Sequence, residues 1–287
     1  MDYNLWNNFY QNIKDSSWPD CPNEHEFFNL PIHIQDEIID LHNGLNLIKL
    51  QDKDITYLPM QLADPCTINT DFDLTFLVAS DFQVYYNDQI AAGGHKFGQN
   101  YPRIIKYLYP DRKFHHCLDW AAGAGFIGFR LLADGVCKNL SLMECYEPAV
   151  LACNKTILHM PEKFKDNVQV IHSDSLNSCN LNNKFDLIVA NTPAHSTILW
   201  PAGDFKNLSI NDWARISTDR NWEIHKDFFL GAKKFLSEDG VILLQEKTYT
   251  SSVFEFQDMI DAADLKIISA FTENVDGHTW YLHCTHK

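Results

Sequence analysis

The sequence predicts an α/β fold in which a doubly wound, mostly parallel sheet is covered by helices on both faces. From residue 103 onward, short apolar segments of strand length alternate with longer segments of helical periodicity, and such alternation builds parallel sheets. The first of these strands runs into a glycine-rich turn, Gly123-Ala-Gly125-Phe-Ile-Gly128. A strand that ends in such a turn is typical of nucleotide-binding α/β domains.

The individual elements are predicted from their apolar periodicity and their flanking turn residues. After a helix that begins near Arg103, strands are predicted at 114–119, 140–144, 167–172, 185–190 and 240–246, and helices at 126–134, 147–158, about 221–236 and 252–263. Two late strands, 265–271 and 279–284, are separated by a turn-rich segment and are predicted to form a hairpin.

The region before these elements has a different character. Residues 1–98 are predicted to form an N-terminal cap or substrate region with an amphipathic helix at 31–42 and a strand at 82–86, and residues 99–287 to form the cofactor-binding domain. The segment 91–102 between them contains Gly93-Gly94. It is either a simple turn or a loop over the cofactor that brings Phe97, Gln99 or Tyr101 near the ligand.

The composition narrows the class of protein. With 287 residues, 45% of them hydrophobic, the chain can bury a substantial core. A formal net charge of −15 argues against nucleic acid as a partner, because such binding depends on Lys and Arg at phosphates. No signal segment and no apolar run of membrane length is present. We therefore expect a cytoplasmic protein with no membrane as a partner. The sequence leaves the oligomeric state open.

Cysteine and histidine give no metal signature. The eight cysteines include no C-x-x-C pair, and the thirteen histidines show no H-E-x-x-H spacing. We therefore expect reduced core thiols and no metal.

Two carboxylates indicate the kind of cofactor. Glu144 closes the strand that follows the glycine turn, 19 residues after Gly125, where a carboxylate accepts hydrogen bonds from ribose hydroxyls. Asp119 lies four residues before Gly123. Its charge suits a cationic amino-acid moiety better than a pyrophosphate, which it would repel. S-adenosylmethionine is therefore favoured over a nicotinamide dinucleotide, although the glycine spacing also matches the dinucleotide pattern.

A second motif strengthens this choice. The apolar strand 185–190 ends in Asn191-Thr192-Pro193. The segment resembles the Asn-Pro-Pro-aromatic signature of class I, Rossmann-like S-adenosylmethionine-dependent methyltransferases, in particular the HemK-like or small-methyltransferase-domain enzymes that modify nitrogen. The resemblance extends over roughly residues 100–285. It implies a seven-stranded sheet with an antiparallel last strand.

The resemblance also implies a set of site residues. Asn191, Thr192 and Pro193 correspond to the catalytic motif, in which the Asn oxygen and the next backbone carbonyl orient the acceptor nitrogen. Cofactor contacts are implied for Asp119, Ala121 at the place of the usual first glycine, Gly123, Gly125, Phe126, Glu144, Ser173 and Asp174 near the adenine, and Asn191.

Aromatic residues near these motifs are open to more than one interpretation. Ala194 stands where the family has the aromatic that stacks on a planar substrate. Either Trp200 or Trp222 replaces that ring, or the substrate is not planar. Trp120 and Phe126 are either core residues or rings that stabilise the sulfonium by cation–π attraction. The long connection 195–221 is predicted to contribute a substrate pocket or lid.

Four functions follow as hypotheses. The first is a methyltransferase acting on nitrogen of a small molecule, a peptide or a protein side chain. The second is a cyclase that converts S-adenosylmethionine into azetidine-2-carboxylate and methylthioadenosine. The third is an NAD-dependent enzyme, and the fourth is a scaffold that kept the fold without catalysis.

Overall fold

The computed structural model of the protein describes residues 70–87, 90, 98, 100–194, 217–247, 250–272 and 279–287. The chain forms two compact units. Residues 1–63 and 195–221 make up the first, and residues 64–194 and 222–287 the second. The predicted helix at 31–42 lies outside the described residues, as do Phe97, Gln99 and Trp200.

The second unit alternates strands and helices as the sequence predicts. The strands are β1 Leu74–Ala79, β2 Phe82–Tyr86, β3 Phe114–Trp120, β4 Cys137–Glu144, β5 Val168–His172, β6 Phe185–Asn191, β7 Leu236–Lys247, β8 Leu265–Thr272 and β9 Thr279–His286. The helices are α1 Asn100–Leu108, α2 Phe126–Ala133, α3 Glu147–His159, the single turn α4 Glu162–Lys165, α5 Glu223–Phe235 and α6 Val253–Ala262, and a short 3-10 turn spans Arg220–Trp222.

Seven strands form one sheet in the order β5-β4-β3-β6-β7-β9-β8. Strands β5, β4, β3, β6 and β7 pair in parallel, and β9 runs antiparallel to both β7 and β8. The helices that connect parallel strands cover both faces, as parallel pairing requires. The predicted fold class is thus confirmed, including the antiparallel last strand.

The sheet separates two hydrophobic cores. Because successive strand residues point to opposite faces, Leu187 and Val189 of β6 join the core that contains α1, α2 and α3. Ile188 and Ala190 join the core that contains α5 and α6. We call these sides the α2 face and the α5 face. All four side chains are completely buried, which explains why β6 is apolar from Leu187 to Ala190 rather than alternating.

Strands β1 and β2 form an antiparallel hairpin that belongs to the same compact unit. Phe82 and Val84 are buried in the α2-face core, and the Tyr85 amide donates to Thr156 Oγ1 of α3 at 2.9 Å. The compact unit thus includes this hairpin, which precedes residue 98. Strand β2 was predicted, whereas β1 was missed.

Three further properties concern only the described part of the chain. No helix there is both long and apolar enough to cross a bilayer. No three of its His, Cys, Asp or Glu side chains gather as metal ligands would. Its six cysteines are free thiols, and four of them are buried.

Candidate functional site

The predicted motif residues meet at the carboxyl edge of the sheet. Asp119 pairs in register with Val189, two residues before Asn191, and Glu144 ends β4, the other neighbour of β3. Asp119, Glu144 and Asn191 have the parity of the α2 face along their strands. Ligands of open α/β sheets bind beyond this edge, so these residues surround one candidate site.

The glycine turn adopts left-handed backbone at three positions. The φ angles are +55° at Ala121, +54° at Gly123 and +80° at Gly125. A Cβ at Gly125 would lie 2.7 Å from the Phe129 ring, so this glycine is required for both conformation and space. Among the described residues, a Cβ at Gly123 would meet only the Ile90 carbonyl, at 3.8 Å. The turn therefore leaves room for a ligand at Gly123.

Ala121 has a strained backbone conformation in this turn. A left-handed conformation costs a non-glycine residue about 1 kcal/mol, and Ala121 has it at the position where the family usually has glycine. The next amide, that of Ala122, donates to the Met143 carbonyl of β4 at 3.0 Å. The bend is thus fixed against the sheet even though its first residue is not glycine.

Glu144 holds the turn through its carboxylate. Its Oε2 accepts a hydrogen bond from the Gly123 amide at 2.7 Å, and its Oε1 accepts from the amides of Cys145 at 2.9 Å and Tyr146 at 2.8 Å. A carboxylate offers about four acceptor positions, so Oε2 can accept a further bond. The position of Oε2 fits a hydrogen bond from a ribose hydroxyl. The Gly123 carbonyl accepts a separate hydrogen bond from the Cys153 thiol at 3.2 Å.

Asp119 is buried beside the same turn. Its Oδ2 accepts from the Gly128 amide of α2 at 2.8 Å, whereas its Oδ1 has no hydrogen-bond partner among the described residues. Burial raises the pKa of Asp119 well above its usual value, the Gly128 bond opposes this, and Glu144 adds to it. A buried acceptor without a partner is costly. A cationic donor such as the amino group of S-adenosylmethionine fits this oxygen.

Ser173 and Asp174 follow β5 at the adjacent end of the sheet. The Ser173 amide donates to the Glu144 carbonyl at 3.0 Å, and its hydroxyl caps the turn by accepting from the Ser175 amide at 3.3 Å. Asp174 is exposed. Burial raises the pKa of the Cys145 thiol, and Glu144 and then Asp174 raise it further. The predicted ribose and adenine residues therefore lie near each other.

Asn191 is oriented by a residue that the sequence analysis did not identify. Its Oδ1 accepts a hydrogen bond from Gln245 Nε2 of β7 at 3.1 Å, and Gln245 Oε1 accepts from the Tyr281 hydroxyl of β9 at 3.3 Å. Gln245 and Tyr281 are completely buried. Two polar residues, Gln245 and Glu246, end the apolar run of β7. This pattern could have identified Gln245 and Glu246 as candidate site residues from the sequence.

Thr192 lies in a second network on the α5 face. Its Oγ1 donates to Glu246 Oε1 at 3.2 Å and contacts His225 Nε2 at 2.9 Å. His225 Nε2 also contacts Glu246 Oε1 at 2.9 Å, and the Ser251 hydroxyl donates to Glu246 Oε2 at 3.3 Å. His225 and Glu246 are completely buried. The network fixes the residue after Asn191 to β7 and α5.

Aromatic rings surround this network. The His225 ring stacks on Phe256 with centroids 4.8 Å apart, and Trp222 contacts His225 edge-on at 5.3 Å and Phe256 at 5.1 Å. Trp222 has a φ of +58°, which is rare for a bulky residue. Trp222 is one of the two rings predicted to replace the motif aromatic. It contacts His225, whose Nε2 in turn contacts Thr192 Oγ1.

The other predicted residues have packing roles. The Trp120 ring lies against Phe228 on the α5 face, with centroids 4.3 Å apart. Phe126 packs edge-on against Phe76 and Tyr86. Tyr101 is completely buried in α1, and its hydroxyl donates to the Ala190 carbonyl at 2.5 Å. Pro193 is half-buried and Ala194 is buried in the irregular segment after β6.

Comparison with known proteins agrees with this arrangement. Residues 102–199 match the family model of the methyltransferase small domain, a segment that contains the glycine turn, Glu144 and the Asn191 motif. No curated protein sequence is significantly similar to the chain.

Several solved structures are similar to it. The glycopeptide N-methyltransferase MtfA matches with a TM-score of 0.48 at 11% identity, over 66% of this chain and 90% of the other. A ribosomal protein L11 methylase from Lactobacillus delbrueckii subsp. bulgaricus matches with 0.46 at 14%, over 68% and 81%. The CcbJ methyltransferase from Streptomyces caelestis matches with 0.47 at 11%, over 66% and 89%.

The strand order is typical of Rossmann-like folds. Residues 102–199 are similar to the methyltransferase small domain. S-adenosylmethionine is the cofactor of methyltransferases with this fold, and the orphan oxygen of Asp119 and the open position at Gly123 fit it.

Proposed function

We propose that the protein transfers a methyl group from S-adenosylmethionine to a nitrogen atom of a small molecule, a peptide or a protein side chain. One observation carries the proposal. The Asn191 amide is fixed at the carboxyl end of β6, on the same face as Asp119 and Glu144. An acceptor atom held by Asn191 would therefore lie at the edge where the cofactor binds.

The cofactor would be held by residues of β3, β4 and the loop after β5. Asp119 Oδ1 would accept from the amino group, Glu144 Oε2 would accept from a ribose hydroxyl, and Ser173 and Asp174 would lie at the adenine end. When bound, S-adenosylmethionine supplies a methyl group on a sulfonium. Gly123 supports this arrangement because its missing side chain leaves the space above the turn open.

The acceptor would be oriented by the Asn191 motif. An amide oxygen has two lone pairs, and Gln245 occupies one of those on Asn191 Oδ1. The other, together with the Thr192 carbonyl, would accept the N–H groups of the acceptor and align its lone pair with the methyl. Pro193 restricts the backbone after Thr192. Such positioning is the main requirement of an in-line transfer.

Trp222 is the proposed replacement for the family's stacking aromatic. Its ring contacts His225, which bonds Thr192, and it is only partly buried. A partly exposed indole beside the motif offers a flat apolar surface to a planar acceptor. The negative net charge supports a small-molecule, peptide or protein acceptor rather than a nucleic acid.

The test is mass spectrometry of the purified protein with S-adenosylmethionine alone and with small-molecule and peptide fractions of a cell extract. S-adenosylhomocysteine that forms only with a fraction supports methyl transfer and isolates the acceptor. Asn191→Ala should then abolish transfer while S-adenosylhomocysteine still binds in calorimetry. Methylthioadenosine without any acceptor would contradict the proposal and favour the cyclase. Full activity of Asn191→Ala would show that the assigned site is wrong.

A further inference from the structure

We propose that Gln245 is a positioning residue for the transfer, acting through the amide of Asn191. The inference rests on the proposed function. The two residues pair in register on β6 and β7, so their Cβ atoms lie side by side on the same face. The Gln245 amide donates directly to Asn191 Oδ1 at 3.1 Å.

The direction of this hydrogen bond is fixed by a third residue. The Tyr281 hydroxyl donates to Gln245 Oε1 at 3.3 Å. Arg103, which can only donate, donates to Asn100 Oδ1 at 3.5 Å, and Asn100 Nδ2 donates to the Tyr281 hydroxyl at 3.5 Å. This hydroxyl therefore uses its own hydrogen on Gln245, and Gln245 presents its NH₂ group to Asn191. That group can only donate, so Asn191 must turn its own oxygen toward β7. The amide of Asn191 therefore has one orientation rather than two.

The surroundings keep Gln245 in this role. Gln245 and Tyr281 are completely buried, and Tyr101 packs edge-on against Tyr281 with centroids 5.6 Å apart. Tyr101 also ties α1 to the Ala190 carbonyl, one residue before Asn191. Water cannot replace a lost partner easily at such a site, so the orientation of Asn191 depends on Gln245 itself.

A positioning role predicts a specific kinetic effect. Gln245→Met keeps the length of the side chain but cannot donate to Asn191. We expect kcat for methyl transfer to the acceptor fraction to fall ten- to a hundredfold, while the affinity for S-adenosylhomocysteine, measured by calorimetry, changes less than twofold. Tyr281→Phe should give a smaller loss of kcat because Gln245 remains but loses the bond that fixes its direction.

Gln169→Met is the matched control. Gln169 lies on β5, at the opposite edge of the sheet, and its amide donates to Ser141 Oγ at 2.7 Å. This variant also removes a glutamine donor between neighbouring strands, and it should keep kcat within twofold. If Gln245→Met retains the wild-type kcat, or loses cofactor affinity in proportion to kcat, Gln245 does not act as proposed.

A second readout does not depend on activity. The side-chain amide signal of Asn191 in a ¹⁵N NMR spectrum is assigned by its disappearance in Asn191→Ala. In the wild type we expect a rigid group whose shifts differ from those of free asparagine, and in Gln245→Met a mobile group with shifts close to the free values. An unchanged Asn191 signal would overturn the inference. If the wild type transfers no methyl group but the signal changes as expected, the proposed function fails while the positioning contact stands.

Discussion

Asp119 combines two properties at the scale of a single residue. One carboxylate oxygen binds the Gly128 amide, and the other is buried and has no partner within the described residues. Burial is the main reason for its raised pKa. The native protein therefore binds a proton at Asp119 more tightly than the unfolded chain does. Between the unfolded pKa, about 3.9, and the higher folded pKa, stability decreases as pH rises.

Asp119→Asn should separate stability from binding. An asparagine oxygen can still accept from the Gly128 amide, and the variant has no buried charge, so we expect a higher Tm than the wild type at pH 7. Its amide would place a donor where the cationic group of the cofactor needs an acceptor. We expect at least tenfold weaker binding of S-adenosylmethionine by calorimetry. A lower Tm together with unchanged affinity would contradict both roles.

Ala121 provides a second test at this scale. Glycine adopts left-handed backbone without strain, so Ala121→Gly should raise the free energy of unfolding by about 1 kcal/mol in urea titration. The control is Ala122→Gly, at a neighbouring residue whose φ is not positive. There the added freedom of the unfolded chain should lower stability by about 0.5–1 kcal/mol. The same sign for both variants would rule out backbone strain at Ala121.

At the scale of elements, most of the sheet could be predicted because apolar strands and glycine or proline turns are local patterns. Strand β1 was missed although its run, Leu74–Ala79, is separated from β2 only by Ser80 and Asp81, which is a hairpin pattern. The partners of the motif were harder to find. His225 and Tyr281 reach Thr192 and Gln245 from elements distant in sequence, and no local pattern encodes such a contact.

Helix α5 is fastened to the sheet by the buried pair of His225 and Glu246. Removing one member of a buried pair leaves the other without compensation, which typically costs about 3–5 kcal/mol. We expect His225→Ala to lower the free energy of unfolding by about 3 kcal/mol, as measured by urea titration. Glu246→Gln should cost less because its amide oxygen can still accept from Thr192.

The control for this pair is His159→Ala on α3. His159 is exposed, so its replacement should change stability by no more than about 0.5 kcal/mol. Equal effects of His159→Ala and His225→Ala would show that the buried contacts do not stabilise α5.

At the scale of the whole molecule, histidines on separated strands link stability to pH. His116 on β3 bonds Ser141 Oγ at 3.2 Å, and His283 on β9 bonds the Tyr109 hydroxyl at 2.6 Å. Burial lowers the pKa of both, and Asp186 partly opposes this at His116. Because the pKa of each histidine is lower in the folded protein, the unfolded chain binds more protons than the folded protein does below about pH 6.5. Their contribution to stability is complete above that pH and decreases below it.

We therefore expect the two histidines to raise the urea midpoint at pH 7.5 relative to that at pH 5.5, whereas Asp119 acts in the opposite direction. In the double variant His116→Gln, His283→Gln the difference between the two pH values should be smaller, because two groups that take up protons on unfolding are gone. The measurement is a urea titration at each pH with the wild type in parallel. An equal difference in both proteins would place the pH dependence elsewhere in the chain.

Because the α2 face and the α5 face of the sheet carry different contacts, insertions and deletions within its strands are restricted. Asn191 and Gln245 serve one face, whereas the residues that follow them, Thr192 directly after β6 and Glu246 on β7, serve the other. Deleting or inserting one residue within β6 or β7 would exchange the two sets between the faces. Point substitutions at this edge alter only the contacts of one side chain, but the number of residues in these two strands must stay constant for both faces to keep their chemistry.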